Sequence, residues 1–279
     1  MKKRKGLKIA LITAAVFVLI LIGITVPYKF IPTIPSSLSI SQHSENPPKL
    51  IAHRGFSGVY PQNTIPAFEG AAEAGFWGME CDIHTTKDGK WVVIHDDEIS
   101  NLTNGEGFVK DFTLDELREI QMDSGNGIKK YGTLPIPTLE EYLQVCVDDG
   151  KIIPVIEIKN CDTKYLPSLK KIISEFNLSE KAVFISFNGD FLTEYRKLDK
   201  DATILYLRHN PTIEEIDFCI ENNFGINFYF KDFIKGHRAI KYARENGVTI
   251  GAWTVDNTIY ADVMAHFGAE FITTNKITP

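Results

Sequence analysis

The stretch Gly78-Met79-Glu80-Cys81-Asp82-Ile83 alternates acidic and apolar side chains in a run otherwise suited to a buried strand. Side chains on a strand point to opposite faces in turn, so Glu80 and Asp82 share one face while Met79, Cys81 and Ile83 take the other. Pro154-Val155-Ile156-Glu157-Ile158-Lys159 repeats the pattern, with Glu157 and Lys159 on one face and Ile156 and Ile158 opposed. Apolar faces turned toward outer helices and charged faces turned inward describe strands of a closed barrel. Charges directed into such an interior are costly unless they are paired or bind a metal. Three carboxylates and one lysine leave an excess of negative charge, which one divalent cation would resolve. Oxygen ligands without thiolates suit Ca2+ or Mg2+. An internal salt-bridge cluster around Lys159 is the alternative.

Outward from these two strands, short apolar runs alternate with helix-like stretches. Strands are expected at 50–53, 78–84, 91–95, 152–159, 182–187, 203–207, 225–230, 249–255 and 271–274. Helices are expected at 66–74, 139–148, 165–175, 190–198, 213–221, 235–245 and 259–267. Such alternation implies parallel strands covered by helices. Eight of the runs fit a (β/α)8 barrel of the TIM type. The run at 91–95 is then a hairpin extension of the second strand, turned at Asp88-Gly89. A doubly wound open sheet is the alternative, but no G-x-G-x-x-G follows the first strand, which weakens a dinucleotide-binding version. Residues 100–138 are irregular and rich in Gly and Asp, and read as an insertion after the second strand without an assignable structure.

Two histidines close strands. His53 ends the first in Ile51-Ala52-His53-Arg54-Gly55, and His95 ends the hairpin strand in Val92-Val93-Ile94-His95-Asp96. Active sites of such barrels lie at the C-terminal ends of the strands. Two histidines there can divide general acid and general base work near neutral pH. His84 shares the parity of Glu80 and Asp82 and either borders this site or serves behind it. His43, His209, His237 and His266 have no comparable context.

The chain has 279 residues and a net charge of −6, unevenly placed. Lys2, Lys3, Arg4, Lys5 and Lys8 precede any acid, leaving 25 basic against 36 acidic residues, or −11, for the remainder. That balance argues against sequence-independent binding of nucleic acid, which needs basic surface. Residues 9–26 run for eighteen positions without a charge, close to the ~20 needed to span a bilayer. Basic residues before the run place the following domain outside the cell membrane. The expected organisation is a basic cytoplasmic segment at 1–8, a single-pass signal anchor at 9–27, a Pro- and Ser-rich tether at 28–48 and the barrel domain at 49–279; a cleaved signal peptide is the alternative to the anchor. Cys81, Cys146, Cys161 and Cys219 show neither zinc spacing nor a disulfide framework, and are expected to be small buried side chains.

The residues resemble the glycerophosphodiester phosphodiesterase family over roughly 50–275. The motifs fall in order. Ala52-His53-Arg54-Gly55 is followed by Pro61-Gln62-Asn63-Thr64, Ala67-Phe68 and Glu80-Cys81-Asp82-Ile83-His84-Thr85-Thr86-Lys87-Asp88-Gly89. Val93-Ile94-His95-Asp96, Thr103-Asn104-Gly105-Glu106-Gly107, Ile136-Pro137-Thr138-Leu139-Glu140-Glu141, Glu157-Ile158-Lys159 and Trp253-Thr254-Val255 complete the series. The resemblance implies a TIM-type barrel that hydrolyses phosphodiesters of glycerol. His53 and His95 match the catalytic pair and Glu80, Asp82 and Glu157 the metal ligands. Arg54 and Lys159 match the phosphate-contacting cations, and Trp253 the aromatic residue near the substrate pocket, a core aromatic being the alternative. Asn63, grouped with the substrate-binding residues, holds the first loop or contacts the metal shell, with a helix-capping role before Pro66 as the alternative. In this family the nucleophile is thought to be the neighbouring glycerol hydroxyl, giving a cyclic phosphate that water later opens. Gln62 stands where many members have Glu and Asn275 where many have Asp, and neither is expected to touch the catalytic set.

Three rival readings share the fold: a lysophospholipid phosphodiesterase, a hydrolase of teichoic-acid chains, and a non-catalytic lipid- or wall-binding barrel. The intact His, Glu, Asp and Lys set argues against the last.

Overall fold

A computed structural model describes residues 47–279 of the chain. Strands β1 (Lys49–Ala52), β2 (Gly78–Thr85), β3 (Trp91–Val93), β4 (Gln121–Met122), β5 (Leu134–Pro135), β6 (Ile153–Asn160), β7 (Val183–Ser186), β8 (Thr203–Arg208), β9 (Gly225–Tyr229), β10 (Ile250–Trp253) and β11 (Phe271–Thr274) follow in chain order. β1, β2 and β6 to β11 form a parallel sheet that closes on itself, since β1 pairs with both β2 and β11. Helices α1 (Ile65–Glu73), α2 (Leu114–Glu119), α3 (Leu139–Asp149), α4 (Leu166–Glu175), α5 (Gly189–Leu198), α6 (Ile213–Asn222), α7 (Phe233–Glu245) and α8 (Thr258–His266) complete the domain. All but α2 link successive barrel strands, giving the expected TIM-type barrel.

Strand parity sorts the apolar side chains into two cores. Met79, Cys81, Ile83, Ile156 and Ile158 pack outward with helix residues such as Phe68, Leu143 and Leu169. Ile51, Val155, Val183, Ile185, Leu205, Leu207 and Phe271 fill the interior. The seam between β2 and β6 carries an unusual adaptor. Pro154, the register partner of Met79, brings no N–H to the ladder. The buried Tyr142 hydroxyl of α3 stands in the seam, accepting from the Val155 N–H at 3.1 Å and donating to the Met79 carbonyl at 2.7 Å. The register beyond it sets Glu80 opposite Val155 and Asp82 opposite Glu157.

β3 pairs antiparallel with β2 as expected, across a turn in which Gly89 takes φ +74°. The insertion after β3 is ordered around its own apolar cluster of Ile99, Leu102, Val109, Leu117, Met122 and Ile136, which packs on Val92 and Ile94. Its one α-helix, α2, starts at a capping box in which Thr113 and Glu116 satisfy each other's backbone N–H groups.

The basic segment 1–8, the anchor at 9–27 and all but the last two residues of the tether lie outside the described residues. Among the described residues no helix is long and apolar enough to cross a membrane. All four cysteines are free. Cys81, Cys146 and Cys219 are buried as expected, whereas Cys161 is only half-buried because it follows β6 into a surface loop.

Candidate active site

The C-terminal ends of β1, β2, β3 and β6 bring the candidate residues to one end of the barrel. Glu80, Asp82 and Glu157 are all buried, and one carboxylate oxygen from each lies within 4.8 Å of the other two. Two cations border them. Lys159 Nζ lies 2.9 Å from Glu157 and 3.3 Å from Asp82, and Arg54 Nε lies 3.2 Å from Asp82. Burial, reinforced by Asp82, raises the Glu80 carboxyl well above the usual carboxylate range and Glu157 to about 7. At Asp82 burial acts the same way but is outweighed by Lys159 and Arg54, which hold its carboxyl low. The salt-bridge cluster therefore exists, but it leaves negative charge over. Glu80 Oε1 is buried without a hydrogen bond, and Asp82 Oδ1 has only the Lys159 ion pair at 3.3 Å. Three clustered carboxylates, one with an oxygen left without a partner, fit a hard divalent cation held by Glu80, Asp82 and Glu157.

The first loop is tied to this cluster. Arg54, at φ +57°, donates its backbone N–H to Glu80 Oε2 at 2.8 Å. Asn63 donates from Nδ2 to Asp82 Oδ2 at 2.8 Å and accepts the Asp82 backbone N–H at Oδ1. Asn63 therefore orients an acidic side chain and does not cap α1, whose N-cap is Thr64.

The histidines flank the carboxylates and have unlike partners. His53 Nδ1 faces Asn275 Oδ1 at 2.8 Å. Burial, reinforced by Arg54, pushes its imidazole down to about 4. His95 Nδ1 faces Asp96 Oδ1 at 2.5 Å, and Asn101 holds the other Asp96 oxygen. Burial lowers the His95 imidazole too. His84 sits behind His95, with Nε2 3.1 Å from the His95 carbonyl and Nδ1 3.1 Å from Asp97. It also lines the cavity shared by His95, Glu157 and Lys159, so it borders the site and supports His95 at once.

Both departures from the family pattern reach the candidate site, contrary to expectation. Asn275 contacts His53, and Gln62 accepts from Arg54 Nη1. For Asn275 barrel closure is the reason, whereas Gln62 meets Arg54 within the loop after β1. β1 pairs with β11, and the His53 N–H donates to the Thr274 carbonyl, which brings residue 275 beside residue 53.

His95, Glu157 and Lys159 line a cavity of about 1060 Å³ whose far wall includes Phe187, Tyr206 and Phe218. Trp253 is not among its lining residues. It packs edge-to-face on Phe187 at 5.5 Å and donates from Nε1 to the Asn227 carbonyl. His209 and Tyr229 complete this aromatic group, a context for His209 that the sequence did not suggest.

The glycerophosphoryl diester phosphodiesterase family model matches residues 53–278. A glycerophosphodiester phosphodiesterase from Caldanaerobacter subterraneus subsp. tengcongensis is 34% identical over 231 residues, covering 81% of this chain and 93% of the relative. The solved glycerophosphodiester phosphodiesterase from Parabacteroides distasonis matches with a TM-score of 0.71 at 29% identity, covering 83% of this chain and 94% of that one. An Oleispira antarctica phosphodiesterase solved with its product sn-glycerol-3-phosphate shares the fold with a TM-score of 0.74, at 24% identity over 82% of this chain and 94% of that one. A barrel with two histidines and a buried acidic triad at one end, matched along its length in this way, belongs to the glycerophosphoryl diester phosphodiesterase family.

Proposed function

We propose that the chain hydrolyses glycerophosphodiesters to an alcohol and glycerol 3-phosphate, with His53 and His95 exchanging protons and Glu80, Asp82 and Glu157 holding one divalent cation, Ca2+ or Mg2+. The observation that carries this reading is the buried acidic triad, with the unpartnered Glu80 Oε1, at the end of the barrel that holds both histidines. Arg54 offers a fork of donors and Lys159 a compact charge to the phosphoryl oxygens. A bound cation would add charge neutralisation at those oxygens. One histidine accepts the proton of the neighbouring glycerol hydroxyl as that oxygen attacks phosphorus. The other gives a proton to the departing alkoxide as its P–O bond breaks, leaving a cyclic phosphate. Water then opens the ring with the proton transfers reversed. Intramolecular attack is favoured because the hydroxyl is already placed, with effective concentrations on the order of 10⁵ M or more in good cases.

A panel of glycerophosphodiesters, lysophospholipids and glycerol phosphate polymers, offered to purified residues 44–279 with and without Ca2+ or Mg2+, tests this. Turnover of the glycerophosphodiesters with added metal is the expected result. No turnover under any metal condition would favour a binding module. An anchor at 9–27, read from its uncharged run after basic residues, would put the barrel outside the cell. Protease added to intact cells should then release an active domain from the tether, and protection until lysis would place it inside.

A further inference from the structure

We propose that Asn275 is a positioning residue for His53. Clamped by Asp256, its amide holds the imidazole with a proton on Nδ1 and presents Nε2 as the nitrogen that exchanges protons with substrate. The inference rests on His53 being catalytic, as proposed above.

Hydrogen-bond chemistry orients the amide. Asp256 Oδ2 lies 2.8 Å from Asn275 Nδ2, and Asp256 Oδ1 accepts the Asn275 backbone N–H at 2.7 Å. A carboxylate oxygen accepts, so the amide must turn its NH2 toward Asp256 and its carbonyl the other way. That carbonyl oxygen, Oδ1, meets His53 Nδ1 and the Ser57 hydroxyl, each at 2.8 Å. An amide oxygen only accepts, so His53 Nδ1 must donate. In the neutral ring the lone pair is then on Nε2. The support is rigid, because the Asn275 backbone carbonyl also accepts the Gly58 N–H at 3.0 Å. Each polar atom of Asn275 is therefore engaged, and the loop after β1 is bound to the loop after β11 around the histidine.

The residue type also follows. A carboxylate at 275 would face the Asp256 carboxylate across a contact that now measures 2.8 Å, which is repulsive unless a proton is shared. An amide joins an acceptor on one side, Asp256, to donors on the other, His53 Nδ1 and the Ser57 hydroxyl, without adding charge. His95 differs in this respect, since its Nδ1 faces the Asp96 carboxylate directly.

The test is nitrogen-15 NMR of histidine-labelled protein near neutral pH, with His53 assigned from the His53→Gln spectrum, together with steady-state kinetics. The wild type should show His53 protonated on Nδ1 and bare on Nε2. Asn275→Ala should shift the ring toward the Nε2–H form and lower kcat by about 10- to 100-fold, with little change in KM, the loss typical of removing a group that orients a working histidine. The double exchange Asn275→Asp with Asp256→Asn rebuilds the same set of hydrogen bonds, so it should recover the Nδ1–H form and most of the activity that Asn275→Asp alone loses. A wild-type spectrum with the proton on Nε2 overturns the proposal, as does unchanged kcat in Asn275→Ala. Full activity in His53→Ala would instead remove the catalytic reading beneath it, and the wild-type tautomer distinguishes the two failures without reference to activity.

Discussion

Replacing Tyr142 with Phe removes one oxygen from the seam that joins β2 to β6, the two strands bearing the acidic triad. The hydroxyl bridges the Val155 N–H and the Met79 carbonyl where Pro154 interrupts the ladder. Each hydrogen bond contributes about 1 kcal/mol net, and a buried N–H left without a partner costs about 1–3 kcal/mol. The variant should therefore lose about 2–4 kcal/mol. Domains of roughly 150–250 residues shift Tm by about 2–4 °C per kcal/mol, so a drop of roughly 4–16 °C is expected. Thermal and urea denaturation of the two proteins, with metal absent and then present, gives the measurement. Glu80 pairs with Val155 in the register, so the loosened seam should also weaken metal binding. A Tm within about 1 °C of wild type would refute the reasoning, because it would mean that the strands close and the N–H meets the carbonyl directly.

Three further outcomes are expected. Glu80→Gln should lower metal affinity and turnover together, with partial recovery at high metal concentration, and turnover that survives chelation would sink the metal assignment. Substrates lacking the hydroxyl beside the phosphoester should react far more slowly than their parents, and phosphorus NMR should reveal a transient cyclic phosphate; equal rates with no cyclic species would falsify the internal nucleophile. His53 has a folded-state value of about 4, below its ordinary 6.5, so the unfolded chain binds the proton more readily. Stability should thus fall as pH drops from about 6.5 toward 4, and His53→Gln should flatten that slope. Urea midpoints measured across this range with the same slope in both proteins would show that His53 is not the cause.

The barrel was legible because its strands and helices change hydrophobic period cleanly, and the acidic triad because Glu80, Asp82 and Glu157 break an apolar pattern at fixed parity. Residues 100–138 were not. Their one helix, Leu114–Glu119, is too short to show a period, although Thr113 and Glu116 carried a capping signal. The contact of Asn275 was misjudged for another reason. Asn275 meets His53 across 222 positions, and only closure of β1 against β11 creates that proximity. The Trp253, Phe187, His209 and Tyr229 group likewise assembles from the ends of four strands, none of which announces its neighbours.

The barrel has a direction, and the segments that enter and leave it have unequal surroundings. β1 starts at Lys49 on the face opposite the histidines, whereas the segment after β11 leads straight into the loop that holds His53, with Ile277 buried beside it. A bead, a chip or a fusion partner joined upstream of Lys49 would hold the molecule by its back and leave the mouth open to solution. The same attachment made after Pro279 would crowd the loop around Asn275, so upstream coupling is the better choice for immobilising this barrel in working form.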